Sequence, residues 1–292
     1  MTRIAVMGSR GQLASVLLER AGPDVDVVAL GLPNVPLEDR ETVIDAIGAA
    51  KPDVVVNAAA YTAVDKAESE EEIATRVNCD GAGHVAEAAA RVGAPLLHLS
   101  TDYVFDGALD RPYREDDPTR PIGAYGRSKL AGERRVAERN ANSVIVRTAW
   151  MYSPFGANFV RTMLRLNETR DEVGVVADQR GNPTSALDIA DALLAVVRRL
   201  RADGSPELRG LFHLTGEGEA TWADLAEAVF AEAHARGRRL TRVRRITTAE
   251  YPTPARRPAN SRLDNAKFAR VYGLALPNWR ASLAACCARL VA

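Results

Sequence analysis

Apolar runs alternate with amphipathic stretches through the first half of the chain. Residues 3–7 read as a strand, as do 25–30, 53–60, 94–99 and 143–147. Each is a short block rich in Val, Ile, Leu and Ala, the pattern of a strand buried inside a sheet. Helical patterns fill the gaps at about 12–20, 39–50, 68–93 and 124–139. Strands and helices alternating at this length predict a Rossmann-like α/β fold, a doubly wound parallel sheet. Right-handed crossovers in such a sheet gather ligands at the carboxyl ends of the strands.

After Trp150 the pattern loosens. Helices are expected at about 158–168, 187–202 and 222–235, with short strands near 173–176 and 210–215. Pro252, Pro254 and Pro258 then mark an irregular segment. The division predicts a dinucleotide-binding Rossmann domain over 1–150, to which parts of 170–220 return. A smaller, partly discontinuous substrate domain would occupy most of 151–292.

Composition narrows the class of protein. At 292 residues, 47% hydrophobic and 26% charged, the chain can build a core of useful size. Lys+Arg and Asp+Glu each total 38, so nothing points to a nucleic-acid or membrane surface. The cluster of Arg238, Arg239, Arg244 and Arg245 reads as a solvated face with local anion contacts. Cys79, Cys286 and Cys287 form neither a disulfide framework nor a zinc pattern, and no metal site is expected. The N-terminus runs straight into a strand, and no apolar stretch reaches the length of a membrane span. These features predict a soluble, cytoplasmic protein.

Three stretches carry chemistry. Gly8-Ser9-Arg10-Gly11-Gln12-Leu13-Ala14 lies between the first strand and a helix, where glycines let the backbone approach a pyrophosphate at the helix N-terminus. The second strand ends Ala29-Leu30-Gly31-Leu32-Pro33-Asn34 without the carboxylate that usually holds the NAD ribose. That leaves room for a 2′-phosphate, with Arg10 as a possible partner, and favours NADPH while leaving NADH open. Ala58, Ala59 and Ala60 end the third strand in side chains small enough for a cofactor to lie over the backbone. The fourth strand ends in two hydroxyls, Ser100 and Thr101, and Tyr125 and Lys129 follow at i and i+4 on one helix face. A nearby ammonium favours a phenolate, so this pair with a hydroxyl opposite can handle the proton of a carbonyl/alcohol couple.

On these strings, and on Asn57 to Glu68, Ser100 to Gly107, Arg147 to Trp150 and Arg257 to Leu263, the chain resembles the extended short-chain dehydrogenases/reductases. Within them it is similar to the dTDP-4-dehydrorhamnose reductase family over essentially its whole length. The resemblance implies a catalytic set of Thr101, Tyr125 and Lys129. Tyr125 would protonate the C4 oxygen, Lys129 would hold the nicotinamide ribose and lower the tyrosine pKa, and Thr101 would orient the ketone. Cofactor contacts would fall on Gly8, Gln12, Leu13, Ala59, Ala60, Tyr125 and Lys129, beside Arg10 and Gly11 of the turn. Substrate contacts would fall on Thr62, Val64, Tyr103 and Trp150, with Arg257 toward the diphosphate. The implied reaction is NAD(P)H-dependent reduction of the C4 ketone of dTDP-4-dehydro-L-rhamnose to dTDP-L-rhamnose, the only partner being a small nucleotide sugar. Two alternatives share the fold: a non-catalytic regulatory subunit of the methionine adenosyltransferase type, and a reductase of another nucleotide-4-keto-6-deoxysugar. Gly31 and Pro36 stand where some relatives carry acidic residues toward the adenosine ribose. Val16 stands where some carry a glutamate for a magnesium-bridged dimer, so monomer and homodimer both remain open.

Overall fold

The computed structural model describes residues 1–291. Six parallel strands form the central sheet: β1 (Thr2–Met7), β2 (Val25–Leu30), β3 (Val54–Asn57), β4 (Leu96–Thr101), β5 (Ser143–Thr148) and β6 (Gly210–His213). Their order across the sheet is β2-β1-β3-β4-β5-β6. β3, β4 and β5 are buried at every position, which their runs of Val, Leu and Ile require of strands covered on both faces. One cover is built by helices Gln12–Glu19 and Ala186–Ala202, the other by Arg40–Ala50 and Ala82–Arg91. The chain leaves β1 for β2 on one side and returns to β3 on the other. This reversal opens a crevice at the carboxyl ends of β1 and β3, where Met7 and Asn57 are register partners.

The remainder packs at that same end. Glu172–Val176 pairs in parallel with Arg242–Ile246. Helices Phe159–Asn167, Trp222–Ala235 and Trp279–Leu290 bury Tyr152, Met163, Phe230 and Leu283 against them. Polar side chains fix where these helices begin. Asn158 accepts from the Arg161 amide, and Thr221 with Asp224 forms a reciprocal capping box. Besides Ala186–Ala202 and β6, Ala266–Tyr272 also returns to the sheet, burying Phe268 beneath Phe212.

Two local expectations need correction. The third strand stops at Asn57, and residues 58–63 are irregular. The helix expected over 68–93 is broken into Glu71–Thr75, a π-helical turn at Arg76–Gly81 and Ala82–Arg91. Arg244 and Arg245 lie exposed on the strand Arg242–Ile246, and Arg245 is bidentate to Glu227, as a solvated face with local anion contacts requires.

Candidate active site

The crevice between β1 and β3 is shaped for a dinucleotide. Gly8 has φ +113°, a conformation that L side chains rarely adopt, and a Cβ there would lie 3.3 Å from the Ala59 amide nitrogen. Gly11 leads into Gln12–Glu19 with no side-chain cap and no acidic residue in the first turn, so its amide groups face the crevice free. The Gln12 side-chain oxygen is buried without a partner, and Leu13 anchors the helix in the core. Asn57 holds the opposite lip, accepting from the Ala59 amide at 3.2 Å and bonding His98 Nδ1 at 3.1 Å. Two side clefts continue the crevice. One of about 510 Å³ is lined by Leu32, Pro36, Leu37, Ala59 and Ala60, together with the carboxylates Glu38 and Asp39. The other, of about 320 Å³, is lined by Ser9, Arg10, Gly31 and Asn34, with no carboxylate in its wall. The residues present fit a nicotinamide dinucleotide.

Strand alternation separates the two hydroxyls at the end of β4. Ser100 points into the sheet, donating to Glu133 Oε1 at 2.5 Å, whereas Thr101 points at the site. Thr101 Oγ1 accepts from the Tyr103 amide at 3.2 Å and lies 3.0 Å from Asp102 Oδ1. The Tyr125 hydroxyl lies near it, and the Thr101 hydroxyl is the one neighbour that draws the phenol pKa down. Burial outweighs it and pushes Tyr125 up to about 12. Lys129 does not supply the expected lowering. Its Nζ donates to the Leu99 carbonyl at 2.6 Å, and burial brings its own pKa down to about 8 against the attraction of Glu133. Glu133 is in turn gripped by Arg147 on β5 through two bonds of 2.8 and 2.7 Å, and both side chains are nearly inaccessible.

The helix that carries Tyr125 and Lys129, Ala124–Arg139, is held by residues far away in sequence. Its N-cap, Gly123, offers no side chain, and the Glu68 carboxylate instead accepts from the Ala124 amide at 2.9 Å. The π-helical turn aims Asn78 inward, where it accepts from the Tyr61 amide at 2.8 Å and donates to Ser128 Oγ at 2.9 Å. Ser128 then donates to the Tyr125 carbonyl at 2.8 Å. At Gly126 any Cβ would fall 2.1 Å from the Tyr103 carbonyl oxygen, so only glycine lets the helix reach the Asp102–Val104 turn. Sequence reasoning does not reach Glu68, Ser128 or Trp222. The bare Gly123 before a strong helical pattern is the one local signal that some distant carboxylate must supply the cap.

On the outer side Tyr103 meets Tyr125 edge to face, ring centres 5.8 Å apart. Tyr103 opens into a cavity of about 520 Å³ walled by Phe159, Met163, Val175, Trp222 and Tyr251. Arg257 is the single charged residue lining it among the described residues. Its guanidinium is engaged, bonding both Asp65 oxygens at 3.0 and 2.8 Å and the Ala255 carbonyl at 3.0 Å, which ties the proline-marked strap to the segment after β3. Trp150 sits behind the cavity wall in a left-handed conformation (φ +48°), its ring stacked on Trp222 with centres 3.6 Å apart. Val64 starts the one-turn helix Val64–Ala67 and Thr62 is exposed just before it.

A doubly wound sheet with a glycine turn at its switch point, and a hydroxyl and Tyr-x-x-x-Lys beside it, is the arrangement expected of a short-chain dehydrogenase/reductase. Comparison with known proteins narrows this further. The model of the RmlD substrate binding domain family matches residues 1–292. The dTDP-4-dehydrorhamnose reductase of Sinorhizobium fredii is 55% identical over 280 residues, covering 96% of this chain and 95% of the relative. Among solved structures, the dTDP-4-dehydrorhamnose reductase of Clostridium acetobutylicum superposes with a TM-score of 0.90 at 37% identity, covering 97% of this chain and 98% of that one. The Bacillus anthracis enzyme, solved in complex with NADP, gives 0.90 at 34% identity and covers 98% of each chain. The chain belongs to the RmlD substrate binding domain family.

Proposed function

We propose that this protein uses a nicotinamide dinucleotide, NADPH or NADH, to reduce the C4 ketone of dTDP-4-dehydro-L-rhamnose, giving dTDP-L-rhamnose. The observation that carries this reading is the Thr101–Tyr125 hydroxyl pair, held at the carboxyl end of β4 between the dinucleotide crevice and the cavity beyond Tyr103. Gly8, Gly11, Gln12, Leu13, Ala59 and Ala60 would bed the dinucleotide. The Ser9, Arg10 and Asn34 cleft suits a 2′-phosphate, since an anion there meets a guanidinium and no carboxylate. The bound nicotinamide supplies the hydride.

The chain's own residues handle everything else. A phenol with a pKa near 12 stays protonated at any physiological pH, so Tyr125 always holds the proton that the reduced C4 oxygen requires. Thr101 shares the ketone oxygen and orients it. Lys129, buried and attracted by Glu133, would draw the ribose and phosphates of the dinucleotide with its charge. The 520 Å³ cavity would take the sugar nucleotide, with Phe159, Trp222 and Tyr251 offering faces to a base and Tyr103 standing between base and ketone. Arg257, already paired with Asp65, would reach the diphosphate through its free Nε–H while keeping the strap closed. We read the C-terminal helices and strap as the substrate lobe.

Tyr125→Phe tests the reading. Turnover should fall at least ~10²-fold with loss of the general acid, while NADPH titration by fluorescence gives a near-normal Kd. Near wild-type turnover in this variant would remove Tyr125 from the role.

A further inference from the structure

Asp102 has no part in the mechanism above, yet it is the most confined acid at the site. It follows Thr101 directly, is 3% exposed, and its Oδ2 has no hydrogen-bond partner. The groups facing it are Thr101, its own and the Tyr103 backbone amides, Ser261 from the strap, which like the amides favours the ionised form against burial, and the Tyr103 and Tyr125 phenols. Ser261 Oγ is weakly committed elsewhere, to the Arg180 carbonyl at 3.4 Å. The cations nearest this corner are turned away: Arg257 is bound to Asp65 and Lys129 to the Leu99 carbonyl. A carboxylate left with one oxygen unpaired in such a place is costly, whereas a neutral carboxyl leaves only a carbonyl-like acceptor unpaired.

Counting donors and acceptors at Thr101 shows the consequence. A threonine hydroxyl has one hydrogen and two lone pairs. The Tyr103 amide takes one lone pair, and Asp102 Oδ1 lies 3.0 Å away. If Asp102 is ionised, it must accept the threonine hydrogen. The remaining lone pair then faces Tyr125 and draws the phenol's proton away from the substrate. If Asp102 is neutral, its O–H fills the second lone pair, and the threonine hydrogen is free to point at the reacting oxygens.

We propose that Asp102 works as a neutral carboxyl, a positioning residue that donates to Thr101 and so aims the Thr101 proton at the ketone oxygen and at the Tyr125 phenolate left after proton transfer. No covalent step is added: Tyr125 alone gives up a proton, and Thr101 keeps its own. The proposal rests on the reductase reading of Thr101 and Tyr125. Burial pushes the Asp102 pKa up to about 7, which keeps the neutral form available near neutrality.

The test is single-turnover reduction of the sugar nucleotide from pH 6 to 9, with NADPH saturating at every pH so that its Lys129-linked affinity drops out, in wild type, Asp102→Asn and Asp102→Leu. Infrared difference spectra of the carboxyl band accompany it, and NADPH Kd confirms the folded state. Wild type should lose about tenfold in rate per pH unit above the carboxyl's titration and should show a protonated-carboxyl band at pH 6 that Asp102→Asn abolishes. Asp102→Asn keeps a donor, so it should stay within about tenfold of wild type at pH 6 and lose the alkaline fall. Asp102→Leu should be slower by ~10²-fold at every pH, the usual result of removing one aimed donor. An Asn variant that keeps the alkaline fall, or is as slow as Leu at pH 6, overturns the proposal. So does absence of the band in an active enzyme. A band present in a protein that reduces no sugar nucleotide would instead sink the functional reading, and the proposal with it.

Discussion

Glu133→Ala should separate a buried ion pair from an exposed one on the same helix. Glu133 and Arg147 are bidentate, with side chains 7% and 3% exposed, and Ser100 adds a third bond to the carboxylate. Arg147 Nη1 already lacks a partner, so removing Glu133 leaves the guanidinium with no counter-charge and only the Phe105 ring, 5.0 Å away, to receive it. Stranding a buried charge in this way costs about 3–5 kcal/mol, which for a chain of this size lowers Tm by on the order of 10 °C. Glu71 and Arg127 make the same bidentate contact at 2.8 and 2.9 Å, but both are nearly half exposed. Solvent screening holds that pair to about 0–1 kcal/mol, so Glu71→Ala is the internal control. The double variant Glu133→Leu/Arg147→Met should recover most of the loss, because the stranded guanidinium goes with its partner and Lys129, already lowered by burial, can give up its proton. Urea midpoints and calorimetric Tm values read all four proteins. A loss below about 1 kcal/mol in Glu133→Ala, or a double variant no better than the single, would refute the reasoning.

Three further outcomes follow from the site. Lys129 binds its last proton at about 8 in the folded chain against 10.5 in the open one. Between those values the unfolded chain holds more protons, so this residue's contribution makes stability rise with pH across that window. NADPH affinity should move the other way, weakening as pH rises through about 8 when the ammonium is lost; a Lys129→Met variant with the same pH-dependent Kd would contradict this. Gly126→Ala should force the Tyr125–Lys129 helix off the Tyr103 carbonyl, costing about 1–3 kcal/mol in calorimetry and most of the turnover, and a stable, fully active variant would show that the close approach is not needed.

The sheet is legible in the sequence because strands buried on both faces must be apolar without interruption, and β3, β4 and β5 are. The glycine turn and Tyr125–Lys129 are legible for the same reason: each depends on spacing along one element. What the sequence hides is set by contacts between distant segments. Glu68 caps a helix 56 residues away, and nothing in its own neighbourhood marks it for that role. The π-helical turn at Arg76–Gly81 has strong helix formers around it, and only the inward bonds of Asn78 to Tyr61 and Ser128 account for the extra residue in the turn. Lys129 illustrates the limit from the other side. Its i, i+4 relation to Tyr125 suggests an ammonium beside a phenol, but burial and the Leu99 carbonyl decide where Nζ goes. Arg257 likewise has the side chain for a diphosphate, and the fold gives most of it to Asp65.

The most direct measurement is NMR of the sugar formed when the protein is supplied with dTDP-4-dehydro-L-rhamnose and NADPH deuterated at nicotinamide C4. The account predicts dTDP-L-rhamnose of a single configuration, with deuterium at sugar C4 and none elsewhere. Failure to consume either NADPH or NADH while binding them, or a C4-epimeric product, would contradict it.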